Sequence, residues 1–171
     1  PDAGPADGST GADGGADGGG DGGDAGDGGA VNVFAGRPAY TATLGPTTQK
    51  ASHPNPAGQN CTSVSACHGV GAGAREFLFG GTVYTAKAGG AVAPQVEVLV
   101  LDATGKALNA YTDALGNFFR LKGNEVVTLP VRMGARDATN VRNMPGALQA
   151  NFVSCNGCHQ TNNGTGGIHV P

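Results

Sequence analysis

Tryptophan is absent from this chain, and three tyrosines with six phenylalanines hold the aromatics to 5% of 171 residues. So little aromatic volume makes a thin side-chain core for the length, and some other apolar body is needed to fill it. Charge is scarce as well. Asp, Glu, Lys and Arg together reach 13%, without the dense basic stripe that a nucleic-acid surface needs. No apolar run approaches the ~18 residues of a membrane-spanning helix, so no membrane span is expected. Neither a paired-carboxylate nor a Ser-His-Asp constellation stands out, and the chain is expected not to be an enzyme. It begins without an initiating Met or a leader, and is read as a mature product from which a leader has been removed.

Glycine is what the chain has in excess, at 32 residues. Residues 1–30 are almost wholly Gly, Ala, Asp and Pro, and hold seven of the thirteen acidic residues: Asp2, Asp7, Asp13, Asp17, Asp21, Asp24 and Asp27. Such a tract has no apolar surface to offset its ordering entropy, and reads as a low-complexity linker or surface tether. Calcium is not expected there, because neither an Asp-rich loop closed by Glu nor a nonapeptide repeat is present. The body from Val31 onward keeps ten basic residues against the remaining six acidic ones.

All four cysteines fall into two clusters that end alike. Cys155-Asn156-Gly157-Cys158-His159 is a Cys-x-x-Cys-His run, the local signature of covalent c-type haem attachment. Two thiols at that spacing can bond the two vinyl groups of one porphyrin, with the adjoining imidazole as an axial iron ligand. Cys61-Thr62-Ser63-Val64-Ser65-Ala66-Cys67-His68 repeats the same residue types in the same order, with five residues between the cysteines instead of two. No cysteine is left over.

Together the two motifs resemble those of a dihaem (multihaem) c-type cytochrome. That resemblance implies two covalently attached haem c groups, held through Cys61 and Cys67 and through Cys155 and Cys158, with His68 and His159 as proximal iron ligands. Four histidines are present in all, which leaves His53 and His169 for the two opposite faces. Bis-histidine iron at both sites would leave no position for oxygen or substrate. Which distal histidine serves which iron stays open, as does ligation from a neighbouring chain. Met133 and Met144 are the rival thioether ligands: Met133 ends a predicted strand and reads as core, and Met144 lies in a turn. The macrocycles would supply the missing apolar volume, and their propionates would balance the basic surplus of the body. The function implied is electron transfer. Its partners are other redox proteins or extracellular acceptors, and other copies of the chain if they join into an extracellular cytochrome filament. Haem attachment of this kind takes place outside the cytoplasm in bacteria, so the expected location is extracellular or cell-surface, with the periplasm as the alternative.

Between the motifs the pattern changes. Phe77–Ala86, Gln95–Leu101, Leu108–Thr112, Asn117–Lys122 and Val126–Met133 have strand length and composition, separated by turn signals at Ala88-Gly89-Gly90, Asp102-Ala103-Thr104-Gly105, Ala114-Leu115-Gly116-Asn117 and Lys122-Gly123-Asn124. This spacing predicts an antiparallel β-sandwich. Gly81-Thr82-Val83, Val96-Glu97-Val98-Leu99-Val100 and Thr112-Asp113-Ala114-Leu115-Gly116-Asn117-Phe118 resemble the carboxypeptidase regulatory-like, transthyretin-like module. In that family the Thr-Asp-x-x-Gly-x-Phe run makes a tight hairpin and returns an aromatic to the core. The organisation expected is a low-complexity tract (1–30), a first haem-binding segment (31–75), a mainly β, Ig-like or transthyretin-like sandwich (76–133) and a second haem-binding segment (134–171), with a short helix before Cys155.

The competing reading is a non-haem surface adhesion or binding sandwich. There Cys61 with Cys67 and Cys155 with Cys158 would form two disulfides, or cysteines from both pairs would converge on one structural zinc.

Overall fold

The computed structural model describes residues 30–50, 54, 56–63, 67–150, 153–162 and 164–170. Residues 1–29 of the Gly/Ala/Asp tract, and His53, lie outside the described residues. The chain is mainly β. Among the described residues there are seven strands: β1 (Phe77–Tyr84), β2 (Glu97–Leu101), β3 (Ala107–Tyr111), β4 (Asn117–Leu121), β5 (Arg132–Arg136), β6 (Val141–Asn143) and β7 (Ile168–His169). They form two sheets, one ordered β4-β1-β7 and the other β3-β2-β5-β6. Every pairing is antiparallel except β1 with β7. Helix among the described residues is confined to α1 (Cys155–Cys158) and a 3₁₀ turn at Gly73–Arg75.

The two sheets share one core. Leu78, Phe79 and Val83 of β1 and Phe118 of β4 meet Val98 and Val100 of β2, Leu108 and Ala110 of β3, and Met133 and Ala135 of β5. Alternation carries this on β2, β3 and β5, while on β1 a register irregularity between Phe77 and Phe79 accompanies the entry of both Leu78 and Phe79. Strand β2 is covered on both faces, and apart from Glu97 it is apolar on both. Its other face, Leu99 and Leu101, packs on Val33 and Phe34 from the segment ahead of the first motif. Gly134 permits that approach, for a Cβ there would stand 2.7 Å from Val33 Cγ2. Arg136 clamps the segment. Its guanidinium lies 4.5 Å from the Phe34 ring centroid, its Nη2 donates to Pro38 O at 2.8 Å, and its Nε pairs with the cross-strand Glu97 carboxylate at 2.8 Å. A buried pair of this kind costs about 3–5 kcal/mol to break from one side.

Aspartates build the corners. Asp102 Oδ1 accepts from Thr104 N, Thr104 Oγ1 and Lys106 N, and its Oδ2 accepts from Thr128 N, which closes the β2–β3 turn. Asp113 Oδ1 accepts from Leu115 N and Asn117 N, and Gly116 takes the φ of +69° that this turn requires. Phe118 then enters the core against Phe79, centroids 6.4 Å apart.

The structure departs from expectation in three places. The Asp113–Asn117 turn does not close a hairpin: β3 pairs with β2 and β4 with β1, so the turn carries the chain from one sheet to the other. The strand expected over Val126–Met133 is displaced to Arg132–Arg136, because Pro130 has no N–H to give a ladder and the Thr128 N–H is spent on Asp102. In place of a short helix before Cys155, the stretch after β5 supplies edge strand β6, and the helical turn forms at Cys155–Cys158 itself.

The Thr104 hydroxyl, followed by the backbone donors, lowers the Asp102 carboxyl to about 2. A depressed carboxylate stabilises the fold at any pH above its unfolded value near 3.9 and loses that contribution as pH falls toward 2. Asp102→Asn is expected to flatten the acid limb of a melting-temperature profile between about pH 4 and 2. A slope unchanged from the parent would remove Asp102 as its source.

Candidate functional site

Strand β1 is the spine on which both motifs are mounted. Gly80 N donates to Val153 O at 3.0 Å and Gly80 bridges Ser154 in parallel, so the approach to the second motif lies alongside β1. At Gly81 the contact is so close that a Cβ would stand 2.9 Å from Cys155 Cβ and 3.0 Å from the Phe118 ring. Only glycine allows the motif this near. The turn that follows is short: His159 N donates to Cys155 O at 2.8 Å, which leaves Cys155 buried and Cys158 exposed.

The last segment is pinned to the same edge of β1 as the second motif, the edge away from β4. Val83 pairs with Ile168 and Tyr84 with His169, Gly167 N donates to Lys87 O at 2.8 Å, and Val170 enters the core. His169 is thereby fixed beside His159. Their imidazoles are near enough that His169, after burial, helps hold the His159 pKa below its usual value.

The first motif sits against the other end of β1. His68 stacks on Phe77, centroids 4.0 Å apart and planes 20° from parallel, and Phe77 stacks in turn on Phe119 at 4.9 Å. The backbone supports this stack, since Phe77 N donates to His68 O at 3.0 Å. Cys61 Sγ lies 3.6 Å from Gln59 O, and Cys67 is exposed.

Each motif opens on its own hollow. The first, about 810 Å³, is lined by Cys61, Cys67 and His68, with Phe77, Phe119 and Leu121 as apolar walls. The second, about 550 Å³, is lined by Cys155, Cys158, His159 and His169, with Met133, Met144, Leu148 and Ile168. Both volumes lie within the ~300–1,000 Å³ typical of cofactor sites. Phe118 lines both, so the two hollows are neighbours across one wall. No protein-family profile, curated protein or solved structure matches this chain.

The chemistry of each hollow can be tested against a haem. The His68 Nδ1 lies 2.8 Å from Arg75 O, that of His159 3.3 Å from Gly166 O, and that of His169 3.1 Å from Gly167 O. A neutral imidazole that donates from Nδ1 to a carbonyl carries its lone pair on Nε2, the arrangement of metal-bound histidines. Among the described residues, the first hollow is lined by Lys50 and Arg75 and by no carboxylate, and the second by Lys87 and Arg142 and by no carboxylate. One lysine and one arginine per hollow suit a ligand bearing two carboxylates. Ser154 Oγ is buried without a protein partner at the wall of the second hollow. An orphaned hydroxyl beside the motif leaves hydrogen-bonding capacity for an occupant. The residues fit the group.

Cys61, Cys67 and His68 come together in one hollow; Cys155, Cys158, His159 and His169 come together in the other. The sulfur rivals Met133 and Met144 also line the second. The four cysteines are thiols, and no three His, Cys, Asp or Glu side chains among the described residues gather as a metal-binding group. Reading the sequence missed Asn156, whose side chain points away from its own motif. Its Oδ1 accepts from Thr82 N at 3.0 Å, and its Nδ2 donates to Gln59 O at 2.9 Å and to Thr82 Oγ1 at 3.2 Å. Leaving any one of these buried groups unpaired costs about 1–3 kcal/mol. No spacing announces such a role, because Asn156 occupies a position the motif leaves variable.

Burial pushes the Cys155 thiol up to about 12 and raises that of Cys61. The thiolate is the species that alkylates. In protein whose cysteines are free thiols, iodoacetamide should therefore modify Cys158 before Cys155, by about tenfold or more in rate, as followed by peptide mass spectrometry. Equal rates would mean that the docking of Cys155 on Gly81 does not persist in solution.

Proposed function

We propose that this protein is an exported electron carrier of the dihaem c-type cytochrome kind. The observation that carries the reading is that each Cys/Cys/His cluster lines a separate cofactor-sized hollow, with its histidine Nδ1 against a backbone carbonyl and a Lys/Arg pair at the wall. Haem in these positions supplies iron that alternates between ferrous and ferric states, one electron at a time. The remaining work belongs to the chain. Cys61 with Cys67, and Cys155 with Cys158, would hold the group through thioether bonds, adding S–H across a vinyl double bond with no external oxidant needed. His68 and His159 present Nε2 to the metal. His169, fixed by β7, is the distal candidate of the second hollow; His53 remains the other distal candidate by the histidine count alone and lies outside the described residues. Lys50 with Arg75, and Lys87 with Arg142, bind the propionates.

The same reading takes the two sheets as a transthyretin-like sandwich of the carboxypeptidase regulatory-like kind. Its support is the delivery of Phe118 to the shared core, while the Asp113-anchored turn departs from the family's hairpin by crossing between the sheets. The sandwich acts as a rigid frame. Were both irons held by two imidazoles, electron transfer rather than substrate turnover would be the activity. Two neighbouring sites per chain also suit end-to-end assembly into an extracellular filament, for which electron micrographs of purified protein are the direct check.

Intact mass spectrometry of the native protein should give the polypeptide plus two haems, with a Soret band that survives denaturation. In His169→Ala, about half of the low-spin signal should convert to high spin while both haems stay attached. A colourless protein with paired sulfurs would defeat the reading. Retention of the full low-spin signal in His169→Ala would transfer the distal role of the second hollow to Met133 or Met144.

A further inference from the structure

We infer that Asn156, though it belongs to the second Cys-x-x-Cys-His run, is the positioning residue of the first haem site. This rests on the two-haem reading. Cys155 and Asn156 are adjacent in sequence but face different hollows: Cys155 lines the second, and the Asn156 side chain lines the first. Asn156 is 2% exposed. The orientation of its amide is fixed by its partners, since Thr82 N needs an acceptor and Gln59 O needs a donor.

From Asn156 the contacts run into the first motif. Gln59 stands two residues before Cys61, and its carbonyl accepts from Asn156 Nδ2 while also lying 3.6 Å from Cys61 Sγ. Thr82 Oγ1 is the hub: it accepts from Gly58 N at 2.9 Å and from Asn156 Nδ2, and donates to Asn117 Oδ1 at 2.7 Å. Asn117 Nδ2 continues to Thr48 Oγ1 at 3.1 Å. Thr48, Gln59, Thr82, Asn117 and Asn156 all line the first hollow, so this network is its back wall. Each member is held by a neighbour from another part of the chain, and the loop that delivers Cys61 is tied down by a side chain 97 residues away. Outer partners of this kind set the orientation of the groups that hold a metal and thereby tune it.

The test reads each site separately in the holoprotein. His68→Met and His159→Met first assign the two haem signals in electron paramagnetic resonance and in a spectroelectrochemical titration. Asn156→Ala should then displace the reduction equilibrium of the His68 signal about tenfold, or ~59 mV for a one-electron couple, and shift its resonance, with the His159 signal unmoved. Thr82→Val, which keeps the β-branched shape and loses the hydroxyl, should give the same pattern and accelerate amide exchange at Gly58. It also serves if Asn156→Ala fails to fold. A change confined to the His159 signal, or equal in both signals, would overturn the assignment. A native protein without covalent haem defeats the two-haem reading itself, and intact mass settles that beforehand.

Discussion

The architecture depends on how closely a second piece of backbone can lie against the middle of β1. Gly80 and Gly81 leave no side chain on that stretch, and Val153–Asn156 takes the space. A methyl group on Gly81 would meet Cys155 on one side and Phe118 on the other. From this one approach follow the burial of Cys155, the aim of Asn156 toward the opposite hollow, and the position of Phe118 as a wall between the two. Glycine in a strand weakens it by loss of side-chain packing. Here the docked motif replaces that packing, since Cys155 itself is part of the shared core.

Strand β1 thus does more than pair. Its beginning gives Phe77 to the His68 stack, its middle receives the second motif, and its end holds His169 through Tyr84. A single eight-residue strand orders the two hollows along its length. Sites mounted on a strand are held more precisely than sites carried by loops alone. The loops around both motifs are long, yet each is fastened at a few points to this strand or to what docks on it: Gly58 to Thr82, Gln59 to Asn156 and through it to Thr82, and Gly167 to Lys87 just beyond the strand's end.

Much of the fold could be read in advance where local chemistry decides it. The starts of β1 and β4 and the ends of β2 and β4 fall at or within a residue of their expected positions, because aromatic and aliphatic runs meet explicit turn signals there. The stretch after Gly123 was harder. Val126-Val127-Thr128-Leu129 has strand composition, but Thr128 is claimed by a carboxylate on a distant turn, a competition that composition does not reveal. The Asp113 turn was recognised, yet its outcome was not a hairpin, since nothing local says which sheet the next strand joins. At the site, the residue types and spacing of both motifs were plain. Phe77, Asn156 and the two Lys/Arg pairs were not, for they join each hollow only through tertiary contact.

The tail after His159 shows how context overrides composition. Gln160–Gly167 is mostly Asn, Thr and Gly, the makeup of an irregular polar loop, and a histidine beside such a stretch would ordinarily be solvated. It is held because small residues let it approach β1: a Cβ on Gly167 would stand 2.8 Å from the Tyr84 ring, and one on Gly166 2.5 Å from Lys87. Glycine at these positions therefore permits close packing rather than freedom. Two strand residues and one buried valine then suffice to bring His169 to the hollow of His159. The same device, glycine opposite a docking segment, serves Gly134 under Val33 and Gly81 under Cys155. A chain poor in aromatics builds its walls by bringing backbones close together, and that leaves room beside them for hollows that side chains alone would otherwise have filled.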